Sequence, residues 1–164
     1  MKLDFAFVAD AATVQPGGKI NVLGVFDRIR VPEFPTRHAR IALVMRLATS
    51  GPDAGEHSAV IRLMGPEGEK VLSLDGNLRV GPASDPTSVT RIPHILNLDR
   101  VVFKTPGQYA FEIEIDGELA GSVPLILEER KDPRSRGGGA PGSGPGQGPE
   151  GVPIVFAPDG PARA

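Results

Sequence analysis

The feature that most restricts the fold is an alternation of apolar and polar residues with a period of two. It recurs along the first 129 residues, and its two clearest rows are Ile41, Leu43, Met45 and Leu47, and Tyr109, Phe111, Ile113 and Ile115. Successive side chains of a strand point to opposite faces, so this spacing predicts strands with one buried face. Because no window shows a convincing helical stripe, we expect an all-β fold.

Turn-forming residues separate the alternating runs, as at Gln15–Gly18 and Gly65–Gly68. Seven to nine short strands with regular turns predict an antiparallel β-sandwich. The segment Pro106–Tyr109 resembles the turn and tyrosine corner that precede a strand in immunoglobulin-like sandwiches. We therefore expect the immunoglobulin-like form of the sandwich.

Two further rows lie near the N-terminus. One consists of Phe5, Phe7 and Ala9, and the other of Ile20, Val22, Gly24 and Phe26. Each has the same period of two, so each predicts a strand. The turn between them makes the pair a predicted hairpin.

The last hairpin can be predicted in register. A three-residue loop, Asp116–Glu118, would place Ile115 opposite Leu119, and Phe111 opposite Val123. This register puts the apolar rows of both strands on one face, which burial of that face requires. Pro124 then points outward and cannot donate to a ladder, so its strand should be an edge or bulged at that position.

Composition changes sharply near Arg130. From there to Ala164, glycine and proline make up 16 of 35 residues. Such a segment has too few side chains to bury to offset its ordering entropy. The chain is therefore expected to have a sandwich domain at 1–129 and a disordered tail at 130–164.

Two places are candidate contacts with a protein partner. The tail contains an apolar run with Val152, Ile154, Val155 and Phe156, which could add to an exposed sheet edge. In the body, Phe34 lies between two prolines in a stiff segment. Its aromatic ring could anchor a partner or cap the open end of the sandwich.

Composition also limits location and partners. The net charge of −2 lacks the basic excess typical of nucleic-acid binders, so no nucleic-acid partner is expected. No apolar stretch is long enough to span a membrane. The absence of cysteine fits a reducing compartment, so we expect a soluble cytoplasmic protein.

No motif for catalysis, a metal or a cofactor is found. The three histidines, His38, His57 and His94, are too far apart in sequence for a typical zinc pattern and have no cysteine partners. The acidic stretch Glu112–Glu118 lacks the calcium-loop pattern, and its acids are expected on a solvent-facing strand. Pro16–Lys19 lacks the earlier glycine and the helix of a phosphate loop. We therefore assign no catalytic, cofactor-binding or metal-binding residue.

Several blocks together resemble an uncharacterised bacterial family of short proteins, a domain of unknown function. The blocks are Lys2–Ala6, Ala9–Ala12, Gly18–Gly24, Phe26–Ile29 and Gly121–Leu125. The resemblance spans most of residues 2–127 and leaves the tail out. It implies a compact bacterial β domain and no particular chemistry.

Three functions stay open at this point. The first is a non-enzymatic binding or assembly module. The second is an enzyme whose site is built from distant loops, which a shared pocket for two or more of five residues would favour: Asp10, Asn21, Asp27, His38 and His94. The third is a structural subunit of a larger assembly, which a large exposed apolar patch on one sheet face would favour.

Overall fold

The structure, a computed structural model, describes residues 1–82, 85 and 88–130. The predicted tail lies outside these residues apart from Arg130, so the domain boundary stays a prediction. Among the described residues, the regular elements are nine strands and one turn of 3-10 helix at Gly51–Asp53. The strands are β1 (Lys2–Val14), β2 (Ile20–Phe26), β3 (Arg28–Val31), β4 (Thr36–Thr49), β5 (Gly55–Met64), β6 (Lys70–Val80), β7 (Thr90–Phe103), β8 (Gly107–Ile115) and β9 (Glu118–Glu129).

The strands form two sheets. The four-stranded sheet has the order β2-β1-β4-β7, and the five-stranded sheet has the order β3-β9-β8-β5-β6. All neighbours are antiparallel except β3 and β9, which run parallel. The prediction of an all-β sandwich with seven to nine strands is confirmed, and its immunoglobulin-like form stays a prediction.

The core lies between the two sheets and is built from the rows that the sequence indicated. The buried row of β4 is Ile41, Leu43, Met45 and Leu47, and that of β8 is Tyr109, Phe111, Ile113 and Ile115. Removing these side chains from water is the main favourable contribution to folding. The outward-facing residues of the same strands are not part of the core between the sheets.

Tyr109 forms the bond expected of a tyrosine corner. Its hydroxyl donates a hydrogen bond to the carbonyl oxygen of Thr105 at 2.8 Å. Its buried ring packs edge-on against Phe103, with ring centroids 5.0 Å apart. The corner thus fixes the start of β8 to the loop before it.

The β8–β9 hairpin differs in one respect from the predicted register. Its loop has two residues, because Ile115 pairs with Glu118 instead of Leu119, whereas Phe111 does pair with Val123. Asp116 and Gly117 both have positive φ, at 52° and 81°, which is the geometry of the tight turn that Asp-Gly favours. The extra residue is accommodated by a bulge within the strand, where the register shifts between Ile113 and Glu114.

The predicted row at Phe5, Phe7 and Ala9 does not face the core. A register shift between Leu3 and Phe5 changes which side chains point inward. Leu3 and Val8 consequently contact the core, as does Ala6. The two phenylalanines and Ala9 lie on the opposite face of the four-stranded sheet.

Pro124 lies in a partly unpaired stretch of β9, as expected for a residue without an N–H. On one side it pairs with Ala110 of β8. On the other side β3 begins to pair with β9 only at Ile126. The missing donor therefore leaves no gap in a ladder.

Candidate functional site

The face of the four-stranded sheet that points away from the core is apolar. We call it the outer apolar face, and it consists of Phe5, Phe7, Ala9, Ala11, Leu23, Val25, Ala42, Val44 and Ile95. All nine described strands belong to one of the two sheets. Within the described residues, therefore, no further strand packs on this face.

Strand register places these residues side by side. Ala9 of β1 lies opposite Val25 of β2 and opposite Ala42 of β4. Val44 of β4 in turn lies between Phe7 of β1 and a β7 partner, Ile95. Cross-strand neighbours on one face are close enough to touch, so the apolar surface is continuous across the sheet.

Exposure increases from the middle of this face toward its β2 edge. Val44 and the two alanines beside it, Ala9 and Ala42, are buried. Leu23 is 71% exposed and Val25 is 63% exposed. Scattered exposed apolar residues are normal, but two large ones beside an apolar floor form a patch of the kind used in binding.

Aromatic rings and paired charges border the patch. Phe5 and Phe7 stack with ring centroids 5.5 Å apart, and the Arg46 guanidinium lies 4.6 Å from the centre of the Phe5 ring. Arg46 Nη2 is also 2.5 Å from a carboxylate oxygen of Asp4, and Arg91 Nε is 3.5 Å from the same atom. The charges beside Phe5 are thus already paired within the chain.

A second ion pair lies farther along the four-stranded sheet. Arg40 Nε donates a hydrogen bond to Asp99 Oδ1 at 2.7 Å. This bond lowers the pKa of Asp99 and raises that of Arg40. Both side chains are exposed, so the pair contributes little to stability but leaves no uncompensated charge there.

The outer face of the five-stranded sheet has a different character. Arg62 of β5 forms an ion pair with Glu114 of β8. Arg28 and Arg30 of β3 lie 3.0 and 3.3 Å from Glu128 of β9. Charged residues on an exposed strand face keep it solvated and discourage association. The two outer faces therefore differ: one is charged and the other is apolar.

A polar cluster around His57 connects β5 to the β8–β9 turn. His57 Nδ1 is 2.7 Å from Asp116 Oδ2, and His57 Nε2 is 2.9 Å from the carbonyl oxygen of Asp53. The hydrogen bond to Asp116 raises the pKa of His57, and the same bond lowers the pKa of Asp116. Asp116 also accepts a bond from the amide N–H of Ser58 at 2.9 Å. Each polar group in this cluster has a structural partner.

Asp53 connects the same cluster to Met1. The Met1 amino group is 2.5 Å from Asp53 Oδ1 and, with the hydrogen bonds that Ser50 donates, lowers the pKa of Asp53 to about 2. The carboxylate therefore stays charged in the neutral range. Its bonds are all to the chain itself.

Among the cavities found in the described residues, none is lined by more than one of the five polar residues of the enzyme hypothesis. His94 lies in an apolar cleft between β6 and β7, and Asn21 lies in a shallow depression beside Thr13. His38 stacks near Phe26, with ring centroids 5.9 Å apart. In the part of the chain that the structure describes, no three His, Asp or Glu side chains are grouped as metal ligands would be.

The predicted partner contacts are only partly within the described residues. Phe34 is half-buried and packs against the core. Its contact with a partner stays a prediction. The tail contacts, Val152, Ile154, Val155 and Phe156, lie outside the described residues.

The outer apolar face was not predicted, although the sequence contains a pattern that indicates it. The segments Phe5–Ala9 and Ile41–Met45 are continuous apolar runs, and Val22, Leu23 and Val25 come close to one. A strand with apolar residues on both faces is typical of one covered on both sides. Because only the alternate residues of each run were assigned to a buried face, the apolar residues on the opposite face were not predicted to form a surface.

Comparisons with known proteins give a family but no activity. The model of a family of unknown function, DUF6941, matches residues 4–128. No curated protein matches the chain significantly. In addition, among the described residues no helix has the length and hydropathy that crossing a membrane requires.

One solved structure resembles the chain weakly. It is the Pseudomonas fluorescens alkylpurine DNA glycosylase AlkC, bound to DNA containing an abasic site analog. Sequence identity is 14%, and the match covers 77% of this chain and 30% of the glycosylase, with a TM-score of 0.38. The chain thus spans under a third of that protein's length. A similarity this low supports no conclusion about function.

Proposed function

We propose that this chain, which belongs to the family of unknown function DUF6941, is a non-enzymatic assembly module. The exposed part of its outer apolar face, around Leu23 and Val25, packs against the same surface of a second copy. The proposal refines the binding or assembly module expected from sequence. It also includes the structural-subunit hypothesis, which a large exposed apolar patch on one sheet face would favour.

The observation that carries the proposal is the exposure of Leu23 and Val25, at 71% and 63%, on a continuous apolar face. Leaving large apolar side chains in water costs about 25 cal/mol per Å², and contact with an apolar partner recovers this free energy. The outer face of the five-stranded sheet has ion pairs instead. The asymmetry gives the molecule one face suited to association.

A second copy fits this surface for two reasons. Sheets pack face to face about 10 Å apart, and two apolar faces need no specific pocket to do so. The charges beside Phe5 are already paired, as in the bond between Arg46 and Asp4, so the partner need not supply complementary charge there. A self-complementary contact of this kind is the basis of two-fold dimers, the commonest oligomers.

The test is the molar mass of the full chain in solution, measured by light scattering over a range of concentrations. The disruptive variant carries Leu23→Lys and Val25→Lys together, which places two charges in the proposed contact. The matched control is Leu119→Lys, because Leu119 is 62% exposed but lies on β9 of the other sheet. We expect dimers for the wild-type protein and the control, and monomers for the double variant.

Two results would contradict the proposal. One is a wild-type chain that stays monomeric at every concentration. The other is a double variant that dimerises as strongly as the control. Circular dichroism of each variant verifies that the sandwich is folded, so that loss of the dimer is not confused with unfolding.

The enzyme hypothesis has less support, because Asp10, Asn21, Asp27, His38 and His94 share no cavity among those described. The cytoplasmic location and the absence of a nucleic-acid partner remain expectations from composition. The immunoglobulin-like form of the sandwich is supported by the bond between Tyr109 and Thr105. A tail contact through Val152–Phe156 remains a separate hypothesis.

A further inference from the structure

A cleft opens between β6 and β7, on a different part of the molecule from the outer apolar face. β7 is the last strand of the four-stranded sheet, and β6 is the last strand of the five-stranded sheet. Between these edge strands lies a cavity of about 220 Å³. It reaches from the edge of the sandwich into the space between the sheets.

The walls of this cleft are aliphatic and come from both sheets. The residues that form most of the wall are Met45, Leu47, Ile61, Leu74, Leu78 and Ile113. Strand register places each of them on the inner face of its sheet. The cleft is therefore a gap in the core that solvent can enter. Cavities with mostly apolar walls and a few polar groups are typical of small-molecule sites.

His94 is a polar exception on the inner wall. His94 of β7 lies opposite Met45 of β4, so its side chain points to the inner face of the sheet, as does that of Leu96. It is half-buried, and it makes no side-chain hydrogen bond to any described residue. Burial lowers the pKa of His94, which favours the neutral ring at pH 7. A neutral imidazole offers one hydrogen-bond donor and one acceptor to a ligand.

Gly76 leaves room in the wall of the cleft. It belongs to the inward row of β6, between Leu74 and Leu78. A Cβ atom at this position would meet no described atom within 4 Å. A side chain placed there would therefore occupy the cavity without a clash against the backbone.

We propose that this cleft binds a small uncharged molecule, mostly apolar, whose single hydroxyl group hydrogen-bonds to His94. The aliphatic walls provide the apolar contact, and His94 provides the group that orients the ligand. Among the described residues that line the cleft, the one with a charged side chain is Asp75, and its charge is negative. An anionic ligand would lose its hydration and gain no cation there, so charge is disfavoured.

The test uses three related probes: 4-methylphenol, toluene and 4-methylbenzoate. They share one ring and one methyl group and differ in having a hydroxyl, no polar group or a carboxylate. Methyl NMR spectra of the full chain, labelled at Ile, Leu and Met, are recorded during titration at pH 7. We expect 4-methylphenol to shift the signals of Ile61, Leu74 and Ile113 and to saturate. 4-Methylbenzoate should bind at least about tenfold more weakly.

Gly76→Leu tests whether the probe occupies this cavity. The matched control is Gly81→Leu, because Gly81 also has open space around its Cβ position but does not line the cleft. We expect Gly76→Leu to abolish the shifts and Gly81→Leu to preserve them. Shifts that persist in Gly76→Leu, or no shifts in the wild-type chain, would overturn the proposal.

His94→Leu tests the hydrogen bond. It should weaken binding of 4-methylphenol about fivefold, the usual effect of losing one such bond, and leave toluene binding unchanged or stronger. An unchanged ratio between the two probes would exclude the assigned role of His94. This readout is independent of Gly76→Leu, and it does not require the dimer. Failure of the cleft proposal therefore leaves the dimer proposal untouched, and failure of the dimer proposal leaves the cleft proposal untouched.

Discussion

At the scale of single residues, His57 has the clearest electrostatic effect. Both of its ring nitrogens face oxygen acceptors, namely Asp116 Oδ2 and the Asp53 carbonyl oxygen. The protonated ring can donate to both, and this raises its pKa above the ordinary value of 6.5. The nearby Met1 amino group acts in the opposite direction, but its effect is the smallest of those acting on this ring.

We predict that His57 makes stability fall as the pH rises above 6.5. Since its pKa is higher in the folded chain than in the unfolded chain, its contribution is complete below pH 6.5. It is lost as the pH rises through the raised pKa. The measurement is the melting temperature of the wild-type chain and of His57→Gln at intervals from pH 6 to pH 9. The wild-type advantage should be largest at pH 6.

Asp116→Asn provides the control, because it removes the negative partner and keeps the size of the side chain. Its melting temperature should depend less on pH in the same range than that of the wild-type chain. An advantage of the wild-type chain over His57→Gln that is constant from pH 6 to pH 9 would rule out this role for His57.

At the scale of elements, the β8–β9 hairpin shows how turn geometry sets register. Gly117 has a φ of 81°, in the left-handed region that suits glycine. Asp116, at 52°, is of the residue type that tolerates this region best after glycine and asparagine. The tight turn and the bulge together bring Phe111 opposite Val123, as burial of both requires.

We predict that Gly117→Ala destabilises the domain by about 1–2 kcal/mol, because alanine in the left-handed region is strained by that amount. The matched control is Gly81→Ala, at an exposed glycine without a positive φ. It should change stability by less than about 0.5 kcal/mol. Urea unfolding, with equal slopes for all three proteins, measures both values. Equal stabilities for the two variants would be inconsistent with a strained turn.

At the scale of the whole molecule, the two outer faces of the sandwich differ in polarity. Ion pairs such as Arg62 with Glu114 keep the five-stranded face in water. The four-stranded face exposes Leu23 and Val25 instead. Association through one face alone yields a closed dimer, whereas two apolar faces would allow open-ended stacking.

We predict that the melting temperature of the wild-type chain rises with protein concentration, by about 2–4 °C for each tenfold increase, because dimerisation stabilises the folded state. The double variant with Leu23→Lys and Val25→Lys should melt at one temperature at all concentrations. Scanning calorimetry of both proteins measures the difference. A melting temperature of the wild-type chain that is independent of concentration would argue against the dimer.

The parts of the fold that could be predicted are those that depend on interactions between residues close in sequence. The row from Ile41 to Leu47 and the turn at Gly65–Gly68 depend on local pattern, and both were predicted correctly. The strand that contains Phe5 and Phe7 was also predicted, but its inward face was not, because one bulge near Asp4 reverses which side chains face inward. A bulge depends on the partner strand, so local alternation does not reveal it.

The sequence by itself determined that the chain is all β, where most strands lie and which family it belongs to. It did so because strand period and turn chemistry are local properties. Only the tertiary structure decided the candidate sites. Leu23 and Val25 join Phe7 in one surface through strand order, and His94 and Gly76 line one cleft from different sheets. Such proximity depends on pairings between distant segments, which no short window of sequence contains.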